Sequence, residues 1–328
     1  MKCTSKLKKG MILLLSAALL SGCSSGKLIK EYKESDNGSV WKAQGSQGRS
    51  AGMAVDLCVA SADTIPEDVG SMAGAGSAGL FDISNKRVLY AFQIHEKMYP
   101  ASITKLMTAL LFLESYQGDF SEMITASSQV AIKESGAQLC GYKAGDQVTL
   151  DQLLNGLLIY SGNDAAVMIA EYTAGSVDEF VSRMNQRAVQ LGATNTHFVN
   201  PHGLHDDAHY TTAYDLYLIF QQVMKYDKFR EIINKKEYEG EYKQANGKNK
   251  TVKWESTNLF LTGDKETPQG VVVIGGKTGT TKSAGSCLIL LSQNGQGNNY
   301  VSIVLRDTNK DTLYEDMTKL LVKSTNSD

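Results

Sequence analysis

The chain has 328 residues, of which 42% are hydrophobic and 21% charged. That is enough to bury a sizeable core as one large domain or two small ones, and it excludes a fibrous or wholly disordered protein. With 33 Lys and Arg against 35 Asp and Glu, no basic excess marks a nucleic-acid partner.

Lys2, Lys6, Lys8 and Lys9 make a basic start, followed by the apolar run Met11 to Leu20. A membrane-spanning helix needs roughly 20 apolar residues. This run is about half that, so the pattern predicts an export signal over residues 1–22. The end of the run, Leu20-Ser21-Gly22-Cys23, resembles a lipobox, the cleavage and lipidation signal of bacterial lipoproteins. The resemblance implies cleavage before Cys23 and a diacylglyceryl thioether on its sulfur. The expected place is then the outer face of the bacterial cytoplasmic membrane, held by acyl chains at ~0.8 kcal/mol per buried methylene. Losing residues 1–22 leaves 29 basic and 35 acidic side chains. Residues 23–76 read as the lipidated cysteine and a flexible tether, rich in Ser, Lys and Gly to about residue 50, with EDVGSMAGAG (67–76) as its last part.

A catalytic domain is expected over 77–328. Ser77 to Gln93 reads as two short strands around Ser84-Asn85. From Ser102 to Ser115, Leu106, Met107, Leu110, Leu111 and Leu113 recur at helical spacing. Thr149 with Gln152 looks like a capping box ahead of Leu153, Leu154, Leu157 and Leu158. Ser161-Gly162 interrupts that helix, and Asp164 to Tyr172 resumes it. Ser176 with Glu179 caps another helix, which buries Phe180, Met184, Ala188 and Leu191 and ends at Gly192. Tyr214 to Val223 is a further helix. Glu237–Tyr242 and Thr251–Trp254 flank Asn246-Gly247, a hairpin signal. Val271–Ile274, Cys287–Leu291 and Tyr300–Leu305 are strands, and Asp311 to Val322 closes the chain as a helix. Strands at both ends around a helical block predict an α+β fold, a sheet with an inserted helical subdomain.

Of the five cysteines, Cys3 lies in the signal and Cys23 takes the lipid. Three remain, so they cannot all pair; a Cys58–Cys140 bridge stays open, and Cys287 in CLILL reads as a small core residue. No Cys spacing suggests zinc. His202, His205, His209, Asp206 and Asp207 have the composition of a metal site, but none is expected, and no cofactor.

Three motifs carry chemistry. A serine hydroxyl needs a base to become a nucleophile. Ser102-Ile103-Thr104-Lys105 supplies one on the same helix face, since positions i and i+3 are neighbours. Lysine is a base only when neutral, which burial and a second cation favour. The spacing alone is weak, because S-x-x-K also occurs at Ser5, Ser24 and Ser39. Only Ser102 opens an amphipathic helix in the folded region; the competing reading is a helix cap followed by a solvated lysine. Ser161-Gly162-Asn163 lies in a turn between helices, where a second hydroxyl and an amide can reach a cleft. S-x-N recurs at Ser35, Ser256, Ser292 and Ser324, so it too is weak alone. Lys277-Thr278-Gly279, within GGKTGTT, follows the apolar strand VVVI and occurs once. A strand edge there can pair with an extended peptide, Gly279 allows close backbone approach, and Lys277 offers charge to a carboxylate and helps to keep Lys105 neutral. A phosphate loop is ruled out by spacing, because Val271 stands where G-x-x-x-x-G-K needs glycine. The three motifs follow in order, Ser161 coming 59 residues after Ser102 and Lys277 116 residues after Ser161.

That ordered set is shared by β-lactamases and penicillin-binding proteins. With PASITKLMTALL (100–111), SGNDAA (161–166), LGATNTHFVNPHGL (191–204), TTAYDL (211–216) and GGKTGTT (275–281), the chain resembles the serine-type D-alanyl-D-alanine carboxypeptidases over roughly residues 77 to 322. The resemblance implies a β-lactamase/transpeptidase-like antiparallel sheet flanked by helices. It implies that Ser102 attacks the bond between the terminal D-Ala residues of a peptidoglycan stem peptide, with Lys105 as base and Ser161 relaying a proton. Asn163, Lys277, Thr278, Gly279 and Thr280 would bind the substrate, and the backbone N–H groups of Ser102 and Thr280 would hold the oxyanion. β-Lactams would acylate Ser102. Some members carry Arg beside the Asn that precedes the last catalytic strand, to bind the substrate carboxylate. Here Thr257 stands before Asn258, so that contact falls on Lys277 and Thr278, with Thr280 beside them. Two other readings are a β-lactamase of the same fold, for which no acidic loop residue clearly supplies a deacylation base, and a slow penicillin-sensing module.

Overall fold

The computed structural model describes residues 56–70, 72 and 74–325. The expected signal over 1–22, the lipidated Cys23 and the tether up to residue 55 lie outside the described residues. From Asp56 onward, part of the segment expected as tether is packed on the domain. Cys58 is fully buried, its N–H donates to the Tyr217 hydroxyl at 2.8 Å, and Thr64 bridges to Ala91. The folded unit therefore begins well before residue 77. The composition of 67–76 is that of a linker, but Met72 and Ala75 find apolar cover, which composition does not report.

The chain opens with β1 (Ser77–Asp82) and β2 (Arg87–Phe92), paired antiparallel. A tight 3-10 turn, Ala101–Thr104, leads into α1 (Lys105–Ser115). Two three-residue strands that periodicity could not show, β3 (Met123–Thr125) and β4 (Gln147–Thr149), come next. Helix α2 (Leu150–Asn155) starts where the Thr149 hydroxyl accepts from Gln152 N–H, and it widens into a π-helical turn over Gly156–Tyr160. After the break at Ser161 comes α3 (Asn163–Ala174), then α4 (Val177–Gln190), capped by Ser176 on Glu179 N–H. Helices α5 (Ala213–Val223) and α6 (Asp227–Ile233) precede the hairpin of β5 (Glu237–Lys243) and β6 (Asn249–Glu255). A single turn, α7 (Leu259–Thr262), leads to β7 (Val271–Thr281), β8 (Gly285–Asn294), β9 (Asn299–Asp307) and the closing helix α8 (Lys310–Thr325).

The main sheet has five antiparallel strands in the order β2-β1-β9-β8-β7. Its central strands are apolar on both faces, as strands sandwiched between helical layers must be. Cys287, Ile289 and Leu291 of β8 face α1 and the helical block, whereas Leu288 and Leu290 face α8. The fold is α+β, an antiparallel sheet flanked by helices with a mostly helical region inserted between β2 and β7. The β5–β6 hairpin forms around Asn246-Gly247 but joins β3 and β4 in a separate four-stranded sheet instead of the main one. Strand β6 buries Val252 and Trp254 and exposes Thr251, Lys253 and Glu255, so one face stays wet.

Cys58, Cys140 and Cys287 are all buried free thiols, so the Cys58–Cys140 pairing left open by the sequence is not made. Among the described residues no helix is long and apolar enough to cross a membrane.

Candidate active site

The first turn of α1 sets the centre. Ala101 takes a left-handed conformation with φ 48°, and the 3-10 turn that follows eclipses side chains three apart. Lys105 Nζ therefore lies 2.8 Å from Ser102 Oγ. Lys105 is fully buried, and its amine also donates to Asn163 Oδ1 at 2.6 Å and to the His202 carbonyl at 2.7 Å. Both of those oxygens can only accept. A neutral amine has two N–H bonds and one lone pair; the two acceptors use the bonds and leave the lone pair for the Ser102 hydroxyl. Burial, and then the nearby Lys277 ammonium, hold Lys105 well below the ordinary lysine range. The geometry and the electrostatics thus agree on a lysine poised to take a proton from Ser102.

The turn between α2 and α3 brings the second motif. Ser161 adopts φ 70°, which ends the π-helical turn and redirects the chain. Its hydroxyl accepts from Lys277 Nζ at 2.9 Å, and the same ammonium donates to the Thr278 carbonyl at 3.0 Å. Burial pushes Lys277 down to about 7. Asn163 is anchored by its own N–H, which donates to the Gln138 carbonyl at 2.8 Å. The next residue, Asp164, accepts N–H bonds from Cys140, Gly141 and Tyr142 at 2.9, 2.8 and 3.1 Å. Its carboxylate ties the loop around residue 140 to the start of α3.

Strand β7 forms the far wall. A Cβ on Gly279 would lie 2.9 Å from the Pro100 carbonyl oxygen and 3.0 Å from the Ser102 nitrogen. Only glycine lets the strand run this close to the Ser102 turn. Ser102, Ser161, Thr278, Gly279 and Thr280 border a cleft of about 270 Å³. Thr257 borders it too, and its hydroxyl lies 2.5 Å from that of Thr278. All eight residues singled out in the three motifs are therefore brought together: Lys105, Asn163 and Lys277 buried beneath, the others at or beside the opening. Thr257, which stands where some relatives carry Arg, is thus hydrogen-bonded to Thr278, one of the residues expected to meet the substrate carboxylate.

The residues between α4 and α5 were assigned no role from sequence, yet they close the back of the site. The Pro201 carbonyl accepts from Thr108 Oγ1 at 2.5 Å, and the His202 carbonyl holds Lys105. His209 Nδ1 accepts from Val199 N–H, so its Nε2–H donates to Thr104 Oγ1 at 2.8 Å. Burial keeps His209 down at about 4 and His202 at about 3, so both are neutral. Gly203, at φ +87°, fits beneath the Ala101 carbonyl, where a Cβ would lie 1.8 Å from the oxygen. The signal was the glycine after Pro201-His202; a Pro-X-Gly turn marks a tight backbone approach. Among the described residues no three His, Cys, Asp or Glu side chains are placed to hold a metal ion.

Comparison with known proteins gives the same answer from another direction. Residues 64–309 match the family model Peptidase_S11, D-alanyl-D-alanine carboxypeptidase. DacF of Bacillus subtilis is 39% identical over 47% of this chain and 40% of its own length. DacC of Escherichia coli is 32% identical over 74% of this chain and 59% of its own. The chain thus spans only about half the length of these curated relatives. The Streptomyces K15 DD-transpeptidase crystal structure superposes with a TM-score of 0.70 at 29% identity, covering 76% of this chain and 96% of that one. The chain with its Ser102–Lys105 pair, buried Lys277 and glycine-lined cleft belongs to the D-alanyl-D-alanine carboxypeptidase family, peptidase family S11.

Proposed function

We propose that this chain is a serine D-Ala-D-Ala carboxypeptidase working through an acyl-enzyme on Ser102. The observation that carries the proposal is the set of three partners on Lys105 Nζ: two obligate acceptors and the Ser102 hydroxyl. The stem peptide lies along the edge of β7. Ser102 Oγ attacks the carbonyl between the two D-Ala residues as its proton passes to Lys105. The N–H groups of Ser102 and Thr280 receive the oxyanion, each donor contributing about 2.7–4 kcal/mol. Ser161, on the Lys277 ammonium, passes a proton to the departing amine. Free D-Ala leaves, and water then clears the acyl group from Ser102. A β-lactam enters the same path and stalls at the acyl-enzyme.

The test is incubation of the chain with a fluorescent penicillin and with diacetyl-Lys-D-Ala-D-Ala. Free D-Ala and a long-lived label on Ser102 are expected. Rapid turnover of the label would instead indicate a β-lactamase, and label without D-Ala a sensing module. Labelling of Ser102→Ala would overturn the assignment. The structural neighbour's name, DD-transpeptidase, favours one further reading, in which an amine replaces water as acyl acceptor. Added glycine would then yield a transfer product.

The N-terminal sequence supports a lipoprotein anchored at Cys23 on the outer face of the cytoplasmic membrane. Radiolabelled palmitate should enter the full chain and not Cys23→Ser.

A further inference from the structure

The oxyanion proposed above is received by two backbone N–H groups from separate parts of the chain. Ser102 sits on the turn after Pro100, and Thr280 on strand β7. Their spacing must be held closely, because a donor stabilises the oxyanion only at hydrogen-bond distance. Gly279 lets the two segments come together but has no side chain to hold them. The residue paired with Gly279 on β8 is Cys287. Its side chain lies on the α1 face of the sheet, fully buried, and the residue borders the cleft.

Three backbone groups converge on its sulfur. The carbonyl of Tyr99, just ahead of the Ser102 turn, lies 3.9 Å away. The Ala284 carbonyl lies 3.6 Å away in the β7–β8 turn, and the Ala284 N–H ties that turn to the end of β7 by donating to Thr281 Oγ1 at 3.0 Å. The Arg306 N–H donates to the sulfur at 3.4 Å. Arg306 belongs to a bulge in β9, where Leu305 and Arg306 both stand opposite Cys287 and Arg306 takes φ 53°. A bulge leaves a backbone group without its ladder partner. The thiol accepts from that group and gives its own proton to a carbonyl. Burial pushes the thiol up to about 12, so the proton stays on. An alkyl side chain of similar size could neither accept nor donate.

We propose that Cys287 is a positioning residue of the oxyanion hole, its thiol fixing the turn that carries Ser102 against the end of the strand that carries Thr280. The proposal rests on the acyl-enzyme reading above. Cys287 acts through the two backbone segments and not on the substrate, so its effect belongs to the transition state more than to substrate binding.

The full chain in detergent is acylated with a penicillin isotope-labelled at its β-lactam carbonyl, and the ester carbonyl stretch of the acyl-enzyme is read by infrared difference spectroscopy. A well-placed donor polarises that carbonyl and lowers its frequency. Cys287→Val keeps an apolar side chain of similar volume and removes both hydrogen bonds. It is expected to acylate about tenfold more slowly, a part of the roughly 10²–10³-fold lost when an oxyanion donor is removed outright. The stretch should move to higher wavenumber, and KM for diacetyl-Lys-D-Ala-D-Ala should change little while kcat falls. Cys287→Ser, whose hydroxyl still accepts and donates, should recover most of the rate and the wild-type frequency. Cys287→Ala adds no bulk; it should behave as the valine variant does and stands in for it if valine does not fit the fold. An unchanged rate and stretch in either folded variant overturn the role of Cys287 and leave the acyl-enzyme reading intact. A loss carried by KM alone, with the stretch unmoved, overturns it too, since that marks a general loosening of the cleft. Failure of the wild-type chain to form an acyl-enzyme overturns that reading and this one with it.

Discussion

Asn163 Oδ1 lies 2.6 Å from Lys105 Nζ, and Asn163 is 3% exposed. An amide at this position accepts a hydrogen bond without adding charge. A carboxylate of the same shape would favour the ammonium form of Lys105 and remove the base. Asn163→Asp should therefore lose roughly 10²–10³-fold in the rate of Ser102 acylation at neutral pH, within the range of general-base catalysis. The rate should recover as pH is raised, and a loss that is independent of pH would count against this account.

The Lys277 ammonium is the second-largest cause, after burial, of the lowered Lys105 pKa. Removing that charge raises Lys105 toward its usual range. Because the base acts only when deprotonated, the acid limb of the pH–kcat/KM profile should move to higher pH in Lys277→Met than in the wild type. The absolute rate should also fall. A limb that stays in place, or moves to lower pH, contradicts the coupling.

His202 and Gly203 give opposite expectations although they are adjacent. Lys105 uses only the His202 carbonyl, so His202→Ala should keep most of the acylation rate. Gly203→Ala combines a left-handed φ with a Cβ 1.8 Å from the Ala101 oxygen. It should destabilise the fold by at least roughly 3 kcal/mol, with acylation lost. Denaturant melts of the two variants, read beside penicillin labelling, check the contrast.

Asp164→Ala would leave the N–H groups of Cys140, Gly141 and Tyr142 without their acceptor. Orphaning buried donors of this kind costs about 3–5 kcal/mol in sum. The expected result is a lower unfolding midpoint together with faster amide exchange in residues 140–142. If exchange there is unchanged, the carboxylate does not organise that loop.

The sheet, the long helices and the order of the three motifs were legible because each rests on a local pattern. Apolar runs mark β8 and β9, and capping residues such as Thr149 and Ser176 mark helix starts. Other features rest on tertiary contacts. The strands of three residues are too short to show a period, and the β5–β6 hairpin declares itself as a hairpin but not which sheet it joins. Cys58 and Met72 look like linker until a partner surface covers them. At the site, the side-chain roles could be placed by spacing, whereas the His202 carbonyl could not. Every residue has a carbonyl, and only the fold decides which one meets Lys105.

The three buried thiols have a consequence for biogenesis. Cys58, Cys140 and Cys287 pack as small apolar side chains, so no covalent cross-link joins distant parts of the described fold. Its assembly requires neither an oxidant nor a disulfide isomerase. The same native structure is open to the chain in reducing and in oxidising surroundings, and reductant should leave its unfolding curve where it was.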